Sequence, residues 1–169
     1  MNLLQELQKD LTKEYEITKK FIDYYPEAKN DWKPHPKSMP MIHLAIHLVE
    51  IFGWPDFMLK TEYLDFAENP YSPAAISDKS ELKAHLEKSY QAGLEALQNM
   101  TDSDFNKRWQ LRHGGNVLSD WSIYEAIMQS FKQITHHRAQ LGIYYRLNDI
   151  FVPGSYGPSA DELDLINQL

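Results

Sequence analysis

Four stretches of the chain place apolar residues at intervals of three and four, the spacing of helices with one buried face. They cover residues 3–25, 41–52, 77–100 and 119–147. The second stretch is apolar on nearly every side, so we expect it to be the most buried helix. Prolines and glycines interrupt the segments between these stretches, which indicates loops.

Shorter patterns lie between and after the four helices. Residues 56–67 are predicted to form a short helical continuation of the second helix, followed by a turn. Residues 102–112 are predicted to add a further helical turn that carries Phe105 and Trp109. Ser159 and Glu162 have the spacing of a helix capping box, which predicts a short final helix. The sequence has no clear strand pattern, although residues 151–152 could extend locally. The pattern therefore predicts an all-α fold, with four long helices around one core and short extra helices.

Length and charge narrow the class of protein. A chain of 169 residues suits a single domain, here residues 1–169, with enough length to bury one sizeable core. The net charge of −7, from 17 basic and 24 acidic residues, argues against a nucleic-acid partner, because such binding depends on clustered lysine and arginine.

The absence of certain residues and segments is also informative. The chain has no cysteine, so a disulfide, a thiolate nucleophile and a sulfur-ligated metal are excluded. The N-terminus lacks the basic start and apolar core of a signal peptide. No apolar run approaches the length that crosses a bilayer. We therefore expect a cytoplasmic protein without a membrane partner.

Two helical histidines are candidates for chemistry. His47 lies on the most apolar helix, and a buried imidazole needs a partner for its nitrogens. A core histidine bonded to Glu50, a tyrosine or a carbonyl is one interpretation, which spacing alone favours, and a metal ligand is the other. His137 has helical spacing with apolar neighbours and is predicted to point inward, while His136 points about 100° away. His43 is one turn before His47, near the helix start, where exposure is at least as common.

Two charged residues lie near these histidines. Glu50 is one turn after His47 and could act as a general base in a dry pocket, or could hydrogen bond an imidazole. Arg138 could orient an anionic ligand or form an ion pair with a carboxylate, and the ion pair is the more ordinary role. Both are candidate catalytic residues.

Several segments together resemble the DinB/YfiT-like superfamily of metal-dependent proteins. The resemblance spans nearly the whole chain in the expected order and is carried by residues 31–39 (DWKPHPKSM), 47–54 (HLVEIFGW), 136–141 (HHRAQL), 146–149 (RLND), 153–158 (PGSYGP) and 159–162 (SADE).

This resemblance implies a four-helix bundle, often homodimeric, with a three-histidine nickel or zinc site. The implied ligands are His47 from the second helix and positions 133 and 137 from the last long helix. Position 133 is Gln133 here, and an amide oxygen binds zinc or nickel less well than imidazole does. The expected ligand set is therefore His47, Gln133 and His137.

The resemblance also implies two alternatives for function. The first is a metal-dependent thiol S-transferase or hydrolase, in which a zinc or nickel ion activates a water or a low-molecular-weight thiol, with a small molecule as substrate. The second is a member that has lost its metal at the Gln133 substitution and acts as a non-catalytic dimeric binding or structural module.

Overall fold

The computed structural model describes residues 2–168, so the predicted domain ends at residues 1 and 169 lie outside the described part. Its helices are α1 (Leu3–Asp23), α2 (Met41–Glu50), α3 (Trp54–Lys60), α4 (Lys79–Asn99), α5 (Ile123–Arg146) and α6 (Ala160–Ile166). Short 3-10 helices cover Glu27–Lys29, Ile51–Gly53 and Asp102–Asn106. Three strands complete the fold: β1 (Tyr63–Asp65), β2 (Arg108–His113) and β3 (Asn116–Ser122).

The helices enclose one cluster of buried apolar side chains. α1 and α2 each pack against both α4 and α5. The prediction that the second helix is the most buried is confirmed, since seven of the ten residues of α2 are buried and only His43 is exposed. Burial of this kind is the main source of helix stability in a folded chain. α2 can therefore hold the side chains at its C-terminal end firmly.

α4 approaches the turn after α2 very closely at Gly93. A Cβ atom at this position would lie 2.1 Å from the backbone oxygen of Phe52, well inside van der Waals contact. Only glycine allows the two backbones to come this near. The contact fixes α4 against the end of α2, next to the candidate site.

Side-chain caps define where the last helices begin. Ser122 and Glu125 form a capping box at the start of α5. The capping box predicted from Ser159 and Glu162 is confirmed, and it starts α6. Each box satisfies backbone N–H groups that the first helical turn leaves without intrahelical partners.

The chain is mostly helical, as predicted, but it is not all-α. β1 pairs with β2 in parallel, and β2 pairs with β3 antiparallel, giving the order β1-β2-β3. Residues 63–65 are strand rather than helix, as are residues 108–113. The predicted fourth helix begins four residues late, at Ile123, because residues 119–122 belong to β3.

The β2–β3 turn depends on two glycines and one buried carboxylate. Gly114 and Gly115 have φ angles of +57° and +80°, which side chains with a Cβ rarely adopt. Their N–H groups donate to the carboxylate of Asp65 over 2.8 and 2.7 Å. Asp65 ends β1 and is 1% exposed, so its carboxylate ties the β2–β3 turn to β1.

One helical stretch is longer and more apolar than the sequence alone suggests. The turn at Ile51–Gly53 joins α2 to α3, and Met41–Lys60 is then long and apolar enough to cross a membrane by length and composition alone. The expectation that no run approaches this length is therefore wrong. More than half of the stretch is buried inside the fold, as in the core helix of a soluble protein.

Candidate functional site

A pocket of about 610 Å³ lies between the helices and the sheet. Its polar lining consists of His47, Glu50, Asn69, His85, Ser89, Gln129 and Gln133. Its larger apolar part consists of Trp54, Phe57, Met58, Leu64, Phe66, Tyr71, Trp109, Leu111 and Trp121. A concave, mostly apolar pocket with a few polar groups is typical of a small-molecule site.

The sheet supplies one wall of this pocket. Trp109 of β2 and Trp121 of β3 are directly paired across the hairpin, and paired residues of antiparallel strands project to the same face. Their ring planes are 3° apart and their centroids are separated by 6.3 Å. The indole N–H of Trp109 donates to the hydroxyl of Thr61 over 3.0 Å, which fixes this buried ring.

Two imidazoles from different helices meet at the pocket. His47 of α2 lines it, and the ring of His137 of α5 contacts the ring of His47 with 4.7 Å between centroids and 78° between planes. His137 is 8% exposed, so the prediction that it points inward is confirmed. His43 and His136 are exposed.

The contacts of His137 select one tautomer. Its Nδ1 lies 2.8 Å from the amide oxygen of Gln140. Because an amide oxygen only accepts hydrogen bonds, the proton of the neutral ring lies on Nδ1 and the lone pair on Nε2. A histidine that binds a metal through one ring nitrogen commonly donates a hydrogen bond from the other nitrogen to an oxygen, and this bond orients the ring.

Both rings are held in the neutral form near pH 7. Burial lowers the pKa of His47 to about 4, and the neighbouring His137 ring adds to this shift because two protonated imidazoles would repel each other. Burial also lowers the pKa of His137; the hydrogen bond to Gln140 opposes this shift and His136 adds to it. Neutral imidazole is the form that binds a metal or accepts a proton.

Gln133 lies one turn before His137 on α5 and lines the same pocket as His47. His47 and Gln133 thus line the pocket, and His137 contacts His47 beside it. Among residues 2–168, however, no group of three or more His, Cys, Asp or Glu side chains is placed to hold a metal ion. His47, Gln133 and His137 offer at most two imidazole nitrogens and one amide oxygen, which is a poorer donor set for zinc or nickel than three imidazoles.

Glu50 is also in the pocket, but its partners are not the histidines. Its carboxylate accepts a hydrogen bond from the hydroxyl of Tyr71 over 2.9 Å and a longer one from the N–H of Ala74 over 3.4 Å. The ring of Tyr71 packs edge-on against His47, with 5.3 Å between centroids. Burial, together with Glu50, raises the pKa of Tyr71, so its hydroxyl keeps its proton. Glu50 therefore ties the segment between β1 and α4 to the pocket.

Arg138 does not line the pocket. It is 1% exposed, and its guanidinium forms an ion pair with Glu14 of α1 at 2.6 Å. It also donates to Thr18 and to the hydroxyl of Tyr156, over 3.1 and 2.8 Å. The ion-pair alternative for Arg138 is the one found, and the residue links α5, α1 and the C-terminal segment.

The aromatic walls are the part of the site that the sequence analysis missed. Trp109 and Leu111 alternate with polar residues just before the glycine pair, which is a short strand-and-turn signal. That signal could have identified β2. The position of Tyr71 in a segment without regular structure left no comparable signal.

Comparison with solved structures identifies the fold. A DinB-like protein from Bacillus subtilis superposes with a TM-score of 0.67 at 12% identity, covering 93% of this chain and 98% of that chain. A DinB-like protein from Bacillus cereus ATCC 10987 gives 0.66 at 19% identity, covering 90% and 97%. A protein assigned to the DinB family from Exiguobacterium sibiricum 255-15 gives 0.65 at 17% identity, covering 95% and 97%.

Sequence comparison gives no further assignment, since no family model and no curated protein matches the chain. At these identities the superposed structures establish architecture, and function has to be argued from the site. They agree with the sequence-based resemblance over nearly the whole chain. The protein has the fold of the DinB-like proteins.

Proposed function

We propose that this protein binds a small organic molecule in the aromatic pocket and acts on it through the paired imidazoles of His47 and His137. The observation that carries the proposal is the contact between these two rings, from different helices, beside a pocket of about 610 Å³. Two neutral imidazoles with few other polar partners are costly to bury unless they have a ligand or a chemical role.

The reaction class that we propose is a metal-dependent transfer or hydrolysis. His47 and His137 would hold a zinc or nickel ion through nitrogen, and Gln133 would add a weaker oxygen ligand. A bound ion of this kind supplies a water or a thiol with a lowered pKa near neutral pH. The hydrogen bond from His137 to Gln140 keeps Nε2 free for such a bond.

The other pocket residues would bind and shield the substrate. The tryptophans and phenylalanines exclude water from its apolar part, which strengthens polar interactions inside the pocket. Glu50 would accept a proton or a hydrogen bond from the substrate while it holds Tyr71. Arg138 takes no part in this proposal because its guanidinium is occupied by Glu14.

Calorimetric titration of untagged, chelator-treated protein with nickel or zinc tests the metal ligands. We expect the His47→Ala variant to lose binding, while the matched control His43→Ala, which changes an exposed histidine one turn earlier on α2, retains it. Gln133→His should raise the affinity by about tenfold or more, because it restores a third imidazole. Unchanged stoichiometry in His47→Ala would remove His47 as a ligand.

A metal-free binding protein is the second candidate, and the amide at position 133 favours it. In this case nickel and zinc would leave the melting temperature unchanged. A specific site would instead stabilise the fold by about 2.7 kcal/mol at a metal concentration one hundred times its dissociation constant. No shift at that excess, together with binding of an organic probe, would select the second candidate.

A further inference from the structure

The charges around the pocket indicate which organic molecules it accepts. Its lining contains no lysine and no arginine, and Glu50 is its only carboxylate. In the part of the chain that the structure describes, Glu50 forms no ion pair, whereas Glu14, Asp120 and Asp161 each face an arginine. An anionic ligand would be repelled by the Glu50 carboxylate, and the lining has no lysine or arginine to offset this repulsion.

The aromatic walls favour the opposite charge. The chain has four tryptophans, and three of them, Trp54, Trp109 and Trp121, line this one pocket. Tyr71 adds a further electron-rich ring beside Glu50. The faces of such rings attract cations, and the attraction grows when the cation is shielded from water.

Glu50 retains capacity for a ligand. An ionised carboxylate offers about four lone-pair sites, and its bonds with Tyr71 and Ala74 occupy two of them. The remaining sites and the negative charge are available to a positively charged group in the pocket. The attraction between this carboxylate and a cation is stronger in a partly dehydrated pocket than in bulk water.

We propose that the ligand of this pocket is an organic cation, with an aromatic or bulky alkyl body that packs on the tryptophans and a substituted ammonium group near Glu50. This inference depends on the small-molecule pocket of the proposed function and specifies the charge of the molecule. It excludes anionic thiols and carboxylates as preferred ligands of the metal-free protein.

Tryptophan fluorescence provides a direct assay. A Trp32→Phe background removes the one tryptophan outside the pocket, so the signal then comes only from the pocket walls. Three probes with the same phenyl ring are titrated in the presence of a chelator: benzyltrimethylammonium, benzyl alcohol and phenylacetate. We expect the cation to bind about tenfold more tightly than either of the other two.

Substitutions at Glu50 test whether its carboxylate causes the preference for the cationic probe. Glu50→Gln should lower the affinity for benzyltrimethylammonium by about fivefold to tenfold and should change the affinity for benzyl alcohol by less than about twofold, because the amide oxygen of Gln can still accept a hydrogen bond from the neutral hydroxyl. Glu50→Asp, which keeps the charge, should retain the preference. Glu87→Gln is the matched control, because Glu87 also accepts a hydrogen bond from a tyrosine, Tyr15, but does not line the pocket.

The failures of the two proposals can be distinguished. Equal affinity for the three probes, or a cation affinity that Glu50→Gln leaves unchanged, would overturn the cation preference alone. Absence of binding by all three probes would remove the small-molecule pocket, and the proposed function with it. Circular dichroism of each variant confirms that a lost affinity does not reflect unfolding.

Discussion

Replacing Arg138 by methionine tests whether this buried arginine stabilises the fold or serves the site. Arg138 is 1% exposed and the side chain of Glu14 is 12% exposed, so their ion pair lies largely outside solvent. Removing one partner of such a pair leaves a buried charge without compensation, which costs about 3–5 kcal/mol. For a chain of this length we expect the melting temperature to fall by about 6–20 °C.

The assay is urea unfolding of Arg138→Met, of Glu14→Gln and of the double variant. We expect the double variant to be less destabilised than the sum of the single variants by about 0.5–3 kcal/mol, because neither charge is then left alone. Arg146→Met is the control. Arg146 also pairs with a carboxylate, Asp161, but it is half exposed, so its loss should cost less than about 1 kcal/mol.

The opposite pattern would refute this reasoning. If Arg138→Met unfolds at nearly the same urea concentration as the parent protein but no longer binds the pocket probes, Arg138 serves the ligand. Its contacts with Thr18 and Tyr156 would then be incidental to stability.

Three further predictions concern other parts of the fold. Gly93→Ala should lower the free energy of unfolding by about 1–3 kcal/mol in urea unfolding, because its Cβ would overlap the Phe52 carbonyl oxygen; unchanged stability would contradict the close approach. Hydrogen bonds from the Gly115, Ala67 and Gly114 N–H groups hold the pKa of Asp65 below its ordinary value. The ionised carboxylate therefore stabilises the fold fully at a pH above the ordinary pKa of aspartate, and this stabilisation is lost as the pH falls through the lowered pKa. Acid unfolding of Asp65→Asn should therefore show a weaker pH dependence, and an unchanged profile would be the contrary result. The resemblance predicts a homodimer, so light scattering should give twice the mass of one chain, and a monomer at micromolar concentration would contradict it.

The helices were predictable because their apolar spacing is long and regular. α1, α4 and α5 each extend over more than twenty residues, which is enough for a period of 3.6 to stand out. α2 is shorter, but its almost continuous apolar sequence indicated deep burial. The superposed DinB-like structures agree with the predicted fold at this level.

The sheet was not predictable from the same patterns. Val117, Leu118 and Trp121 have the spacing of a helix face and run directly into α5, although they lie on β3. Phe105 and Trp109 are four residues apart, which also suggested a helical turn. β2 and β3 are short, and Val117 and Leu118 of β3 are exposed. The alternation of buried and exposed residues that marks a strand is therefore weak in this part of the sequence.

The candidate site was predictable only in part, for a related reason. His47, Glu50 and Gln133 lie on helices, and the structure brings all three to one pocket. The tryptophan walls depend on strand register and on contacts between residues distant in sequence, which periodicity does not reveal. Arg138 was considered for the site because it neighbours His137, but adjacent helix positions point about 100° apart. The guanidinium therefore faces α1 instead of the pocket.

The metal and the organic cation that we propose would share the negative charge of one pocket. Glu50 is the only carboxylate in the lining, and a divalent ion near His47 would repel an ammonium group placed beside it. Because binding free energies are linked, the factor by which the metal weakens the cation must equal the factor by which the cation weakens the metal. An amide oxygen at position 133 would hold zinc or nickel more weakly than an imidazole would, which lowers the affinity of the proposed metal in this competition. Gln133 would therefore favour the proposed organic cation over the proposed metal, and the two proposals are connected through Gln133 and Glu50.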